Sequence, residues 1–445
     1  MQFRQFVDDD LGCASYLIGD ESSGEAVVVD PAYAIELYLE EAEKRHVRIT
    51  RVLETHTHAD HVSGHGRFAL EHGLPVHVHA AAAPEYPYEP FEDGQELSLG
   101  EVVLRVIHTP GHRPEHCCFE VIDGARGDEP WLVITGDSLL IGDAARPDLA
   151  SEAVEGATGL YGSLQRLLQL PDGVELFPGH VAGSLCGAGM SSRASSTIGF
   201  ERRFNHALNV NEAEFVQERT NSSTPRPPNM DNIVALNRGP FLAAQPPLGS
   251  VDSPDGASVL DVRTAREFVG GHVPGAFNVS LTGSMFATKS AFVLAADEPV
   301  AIYASSLERA EEAARGLRSV GLFQLRGHLP QADASEQLDA IEIDDLESFL
   351  AENNVEVLDV REKSERDEGF IEGTRHLPYR IVRKCLDDLP EDRPIVTICS
   401  SGARASIAAS VIAADGKEVR PVLGGGVEDW ADRGGQTVQF RRCGS

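Results

Sequence analysis

The chain has 445 residues, 42 % of them hydrophobic and 24 % charged, and a formal net charge of -32. That length requires two or three domains, each with its own core, and the acidic balance excludes nucleic acid and anionic membrane as partners, because both would repel it. Seven scattered cysteines make no disulfide framework, no apolar run approaches a membrane span, and no basic segment followed by an apolar one opens the chain, so a reducing cytoplasm is the expected compartment.

In chain order, the first strand signal is Ala26-Val27-Val28-Val29, ended by Asp30-Pro31 and followed by a helical pattern through Ile35, Leu37, Leu39 and Ala42. The apolar run Ile49-Thr50-Arg51-Val52-Leu53 reads as a buried strand. Directly after it comes Thr55-His56-Thr57-His58-Ala59-Asp60-His61, with four potential metal ligands in six consecutive positions, at the strand end and on the first turn of the next element. As cations these imidazoles would repel one another, and as buried neutral rings each would need its own partner; a metal resolves both problems.

Three further donors occupy equivalent settings. His112 follows Thr109-Pro110-Gly111, Asp137 follows the strand Trp131-Leu132-Val133-Ile134-Thr135 and Gly136, and His180 follows Pro178-Gly179. Glycine before each donor lets the backbone turn tightly, so the side chain can point across the strand ends. Short strands near residues 76–79 and 102–107 complete a mixed α/β domain running to about residue 240, with a polar, proline-rich stretch at 221–229. His65, His72, His77 and His79 are read as structural, and Cys13, Cys117, Cys118, Cys385 and Cys443 carry no readable motif.

The second half contains a repeat. Val259-Leu260-Asp261-Val262-Arg263 is answered by Val357-Leu358-Asp359-Val360-Arg361, and each copy continues into a glycine-rich turn. A period of nearly a hundred residues is domain-sized, which implies two tandem α/β domains, at 241–335 and 336–445. The second copy carries the strand Ile395-Val396-Thr397-Ile398, then Cys399-Ser400-Ser401-Gly402-Ala403-Arg404, then a helix with apolar residues at Ile407, Ala408, Val411 and Ile412. Small loop residues can curl their amides around the Cys399 sulfur, and the helix N-terminus with Arg404 would favour a thiolate. The first copy places Ala304 opposite Cys399 and Arg309 opposite Arg404, with Leu307 and Glu308 in the loop; alanine cannot carry sulfur, so this domain is read as non-catalytic.

The histidine-rich string, with Thr109-Pro110-Gly111-His112, Thr135-Gly136-Asp137 and Pro178-Gly179-His180, resembles the metallo-β-lactamase superfamily. The resemblance implies an αββα sandwich with a metal at one edge of the paired sheets. Two branches fit. In persulfide dioxygenases a single Fe(II) is held by the equivalents of His56, His112 and Asp137, leaving His58, Asp60, His61 and His180 as orienting partners. In glyoxalase II-like thiolester hydrolases all seven donors bind two Zn(II), with the equivalent of Asp137 bridging.

The segment from Gly142 to Leu149 is similar to the dioxygenases, which implies Arg146 near the thiol substrate, and Ser195 to Glu201 is similar to dioxygenase–rhodanese fusions. Cys186, six residues beyond His180, is a buried thiol or a sulfur-exchanging neighbour of the iron. The cysteine loop, with Leu423-Gly424-Gly425-Gly426-Val427 through Trp430, resembles rhodanese sulfurtransferases, whose loop cysteine carries a sulfane sulfur; Ser400, Ser401, Gly402, Ala403 and Arg404 would bind its substrate. The order of domains resembles bacterial sulfide-detoxification fusions. It implies oxidation of a low-molecular-weight persulfide by O2 to sulfite or thiosulfate, in a homo-oligomer. The other readings are a dinuclear zinc hydrolase fused to a sulfurtransferase, and a sulfur relay or sensor in which Cys399 only accepts sulfur for a partner.

Overall fold

The computed structural model describes the whole chain except residues 182–190, 192, 222–224, 332 and 440–445. It divides into two compact units, Met1–Gln245 with Arg318–Gly321, and Pro246–Leu317 with Leu322–Ser445.

The first unit is built on two six-stranded sheets. One runs in the order Gln2–Val7, Ala14–Asp20, Glu25–Val29, Arg48–Leu53, Val76–His79 and Glu89–Phe91. It is antiparallel through its first three strands and parallel thereafter. The other runs Ser196–Thr197, Glu175–Pro178, Pro130–Gly136, Cys117–Asp123, Val102–His108 and Glu96–Leu99. Because side chains alternate along a strand, each sheet serves two cores. Tyr16, Ile18, Val27, Val29 and Leu53 meet Leu104, Val106, Phe119, Ile134 and Phe177 between the sheets. Leu17, Ala26 and Val28 face outward against Tyr38 of the helix Glu36–Lys44 and Phe68 of the helix His65–His72. Ile107, Cys118 and Val133 face Leu160 and Leu164 of the helix Ala153–Leu167. This is the αββα sandwich expected from the sequence. Burial on both faces explains why its central strands read as continuous apolar runs instead of alternating ones.

One local expectation is corrected. The string from Thr55 to His61 does not open a regular element; residues 54–64 form an irregular loop, and the helix begins only at His65. Buried side-chain partners, described below, take over hydrogen bonding that a regular element would have supplied.

The second unit repeats one parallel α/β design. A four-stranded sheet orders Phe277–Asn278, Ser258–Asp261, Val300–Tyr303 and Leu325–Leu329; a five-stranded one orders Ile341–Glu342, Val419–Leu423, Ile395–Ile398, Glu356–Asp359 and Arg375–His376. The repeat extends to atomic detail. Arg263 pairs with Asp261 and donates to the Gly271 carbonyl at 2.8 Å, and Arg361 pairs with Asp359 and donates to the Gly369 carbonyl at 2.7 Å. Among the described residues no helix is long and apolar enough to cross a membrane.

Phe119 is fully buried between the sheets and packs edge-on against Phe91 at 5.2 Å. Phe119→Ala is expected to remove about 3–5 kcal/mol from the first unit. The change would be read as an earlier urea transition in Trp131 fluorescence, in a Trp430→Phe background.

Candidate metal centre and cysteine loop

The strand ends converge as their sequence positions imply, and they deliver the seven candidate donors as three groups, all buried but Asp60. In the first group are His56, His112 and Asp137. Thr55 donates through its backbone N–H and its hydroxyl to the two oxygens of Asp30, at 2.7 and 2.8 Å. Its oxygen therefore accepts from His56 Nδ1 at 2.9 Å, which leaves the lone pair on Nε2. His112 is fixed in the same sense, donating from Nδ1 to the Arg146 carbonyl at 2.9 Å. Asp137 Oδ1 accepts from His180 Nδ1 at 2.6 Å. Its Oδ2 lies 3.9 Å from His56 Nε2 and 3.6 Å from His112 Nε2.

Both His56 Nε2 and Asp137 Oδ2 are buried without a hydrogen-bond partner. With His112 Nε2 beside them, two imidazole nitrogens and one carboxylate oxygen brought together in a buried setting fit a divalent cation. Burial, followed by the neighbouring His58 and His112, pushes His56 well below the usual imidazole range, so its ring is neutral. Burial opposes ionisation of Asp137, yet His180 and then His112 hold its carboxyl well below the usual carboxylate range.

Glycine makes the convergence possible at two points. Gly136 has φ +46°, and a Cβ there would stand 2.7 Å from His116 Nε2; a Cβ on Gly179 would stand 2.6 Å from Asp137 Oδ1.

The second group joins Asp60, His61 and His180 to Cys13. His180 Nε2 lies 2.7 Å from Asp60 Oδ2, and His61 Nδ1 lies 3.2 Å from Asp60 Oδ1. Desolvation, then the Asp60 carboxylate, pushes the Cys13 thiol well up. The third group separates His58 from the other six donors. Its Nε2 is 3.2 Å from both Asp30 Oδ1 and Glu54 Oε2. Burial alone would lower its pKa, but the two carboxylates raise it well above the usual value. The protonated form of His58 is thus favoured where its ring lies against the carboxylate that clamps Thr55.

Several participants carried no signal in the sequence. Cys13 and Asp30 were a motifless thiol and a strand terminator, although Asp30 ends an apolar strand just as the recognised donors do. His116 accepts from the Asp137 backbone N–H at 2.9 Å and is pushed down to about 3 by burial and by His112. His65, read as structural, lies 3.2 Å from Glu54. Arg146 directs its guanidinium to Asp148 at 2.7 and 2.8 Å and to the Pro225 carbonyl at 2.7 Å; its contribution to the centre is the main-chain oxygen that orients His112. Cys186 and Cys443 lie outside the described residues.

In the second unit, Cys399 follows the strand Ile395–Ile398 and precedes the helix Ala403–Ala414. The Gly402 N–H points at its sulfur at 3.1 Å and the Ser401 N–H at 3.5 Å, so the loop amides do face the thiol. Arg404 makes a two-pronged pair with Glu365 at 2.5 and 2.6 Å and donates to Ser400 Oγ at 2.9 Å, which ties the loop to the helix Lys363–Glu368. In the first repeat Ala304 holds the corresponding position, and Arg309 pairs with Glu312 instead.

Residues 8–180 match the family model of the metallo-β-lactamase superfamily, and residues 249–330 and 342–433 match that of the rhodanese-like domain. The chain is 28 % identical to the mitochondrial persulfide dioxygenase ETHE1 of Bos taurus over 239 residues, covering 53 % of this chain and 86 % of that protein. It is 31 % identical to an uncharacterized protein of Mycobacterium leprae over 227 residues, covering 44 % and 94 %. A crystal structure of a metallo-β-lactamase from Staphylococcus aureus superposes with a TM-score of 0.69 at 28 % identity, covering 74 % of this chain and 99 % of that one.

Two outcomes are expected. His180→Ala removes the hydrogen bond to Asp137 Oδ1 and lowers affinity for a divalent ion about 10- to 100-fold, measured by competition with a chelator. Glu365 is opposed by burial but held below the usual carboxylate range by Arg404. A depressed carboxyl stabilises the fold above its ordinary value of 4.5 and loses that contribution as pH falls through its lower folded-state value. The stability difference between the native chain and Glu365→Gln is therefore full above about pH 4.5 and fades below it, as urea denaturation across that range would show.

Proposed function

We propose, for a chain that belongs to the metallo-β-lactamase superfamily in its N-terminal half and carries rhodanese-like domains in its C-terminal half, a non-haem iron persulfide dioxygenase joined to sulfur transfer at Cys399. The observation that carries this reading is the first donor group: the side chains of His56, His112 and Asp137 are buried with one ligand atom each brought together, and two of those atoms, His56 Nε2 and Asp137 Oδ2, are buried with no hydrogen-bond partner. Two histidines and one carboxylate suit Fe(II) and leave coordination positions for two reactants. The likeness to persulfide dioxygenase ETHE1 supports a persulfide as the sulfur substrate.

Iron held by His56, His112 and Asp137 would supply activation of O2 and a template that brings it against the persulfide. The chain's own part is orientation. Thr55 and the Arg146 carbonyl fix the two imidazole tautomers, and His180 fixes the Asp137 carboxylate. The overall reaction balances as persulfide plus O2 plus water giving thiol, sulfite and two protons.

At Cys399 the loop amides and the helix N-terminus stabilise a sulfur anion. Its bound sulfane sulfur passes to sulfite, the S–S bond breaking as thiosulfate forms and the Cys399 thiolate being released. Fusing the two activities raises the local concentration of a labile product, a physical reason for joining them.

Oxygen-electrode measurements on iron-loaded protein with glutathione persulfide test the reading. One O2 is consumed per persulfide, His56→Ala lowers the rate by about 100-fold or more, and Cys399→Ser keeps oxygen uptake while abolishing thiosulfate formation. No oxygen uptake by the iron-loaded native protein overturns the dioxygenase. Two equivalents of zinc with thiolester cleavage would establish the hydrolase in its place.

A further inference from the structure

The two donor groups nearest the centre differ in what they lack. His56 Nε2 and Asp137 Oδ2 are buried and unpartnered, whereas among the described residues no donor atom of Cys13, Asp60, His61 or His180 is in that state. His180 and His61 bind the two Asp60 oxygens, His180 also binds Asp137, and Cys13 adds a contact to all three side chains of the group. Its sulfur lies 3.5 Å from Asp60 Oδ2, to which it donates, 3.4 Å from His61 Nδ1 and 3.3 Å from His180 Nε2. It touches all three side chains that a second cation would have to use.

The backbone holds the sulfur there. Cys13 bridges to His180, Ala14 N–H donates to the Gly179 carbonyl at 2.7 Å, and Asp8 N–H donates to the Cys13 carbonyl at 2.9 Å. On the other side, Val181 N–H donates to the Gly12 carbonyl at 2.8 Å. With the main chain fixed on both sides, the sulfur can leave the group only by rotating about its own Cα–Cβ bond, away from the three side chains it now contacts.

We infer that Cys13 is the residue that keeps the centre mononuclear, closing the Asp60–His61–His180 group with a thiol so that a second divalent cation is refused. This rests on the one-iron reading above and names the side chain that decides it. A cation entering the group would have to displace the thiol proton and separate His180 from Asp60, now 2.7 Å apart. His180 would at the same time lose part of its hold on Asp137. With the group closed, His180 remains a lever between Asp60 and Asp137, 2.7 and 2.6 Å from them, and orients the carboxylate at the first group.

The test is metal stoichiometry by elemental analysis after anaerobic reconstitution of the full chain with excess Fe(II), Co(II) or Zn(II), alongside the near-ultraviolet spectrum of the cobalt form. The native chain is expected to take one ion and to show no thiolate-to-cobalt charge-transfer band. Cys13→Ala opens the group and takes two. Cys13→Ser keeps a hydroxyl with a shorter reach and also admits the second ion, more weakly, which preserves the test where the alanine variant does not fold.

Two ions in the native chain, with a thiolate band, would overturn the inference and make Cys13 a ligand. One ion in the native chain and one in both variants would overturn it too, since the sulfur would then exclude nothing. Oxygen uptake by the native one-iron protein is read separately, so the dioxygenase reading stands or falls on its own.

Discussion

The structure of the first unit turns on the Asp137 carboxylate. One of its oxygens is bound by His180, and the other is left bare between two imidazoles. A buried carboxylate satisfied on one side only is costly in a low-dielectric interior unless a cation completes it. The fold supplies this position with precision. The residue follows a strand that pairs on both sides, it turns at a left-handed glycine, and it is capped by a second glycine that leaves room for its oxygen.

Around that carboxylate the chain spends its charge on orientation. Asp30 holds Thr55, Thr55 sets the His56 tautomer, and the His58 ring lies between Asp30 and Glu54. The Arg146 guanidinium is occupied by Asp148, which leaves its carbonyl in place under His112. These partners matter because the donor atoms themselves are dry. Without a fixed tautomer, each imidazole could offer a proton where a lone pair is needed.

The second unit carries the same scaffold twice, with a cysteine at the loop position of only one copy. Both repeats keep the aspartate–arginine pair and its tie to a glycine carbonyl. They differ in the loop after the next strand. Cys399 sits under two backbone amides with Arg404 tied across to Glu365, whereas Ala304 ends its strand with no sulfur to carry.

Much of this was legible in one dimension. Strand-ending donors after glycine, the short apolar runs, the domain-length repeat and the small-residue cysteine loop are local patterns, and local backbone geometry makes them readable. They sufficed to place seven donors at strand ends and Cys399 in its loop; the family resemblance they carry implied His56, His112 and Asp137 as one set and anticipated the sandwich. What they could not say is where each polar side chain finds its partner. Cys13 meets a histidine 167 residues away. His58 meets the distant Asp30 carboxylate as closely as it meets Glu54 four residues before it, and the chain after Thr55 is a loop whose Thr55 N–H is taken by the Asp30 side chain. Sequence determined which donors exist and at which strand ends they stand. Only the packing of two sheets, by choosing which chain ends touch, decided how those donors divide among three groups.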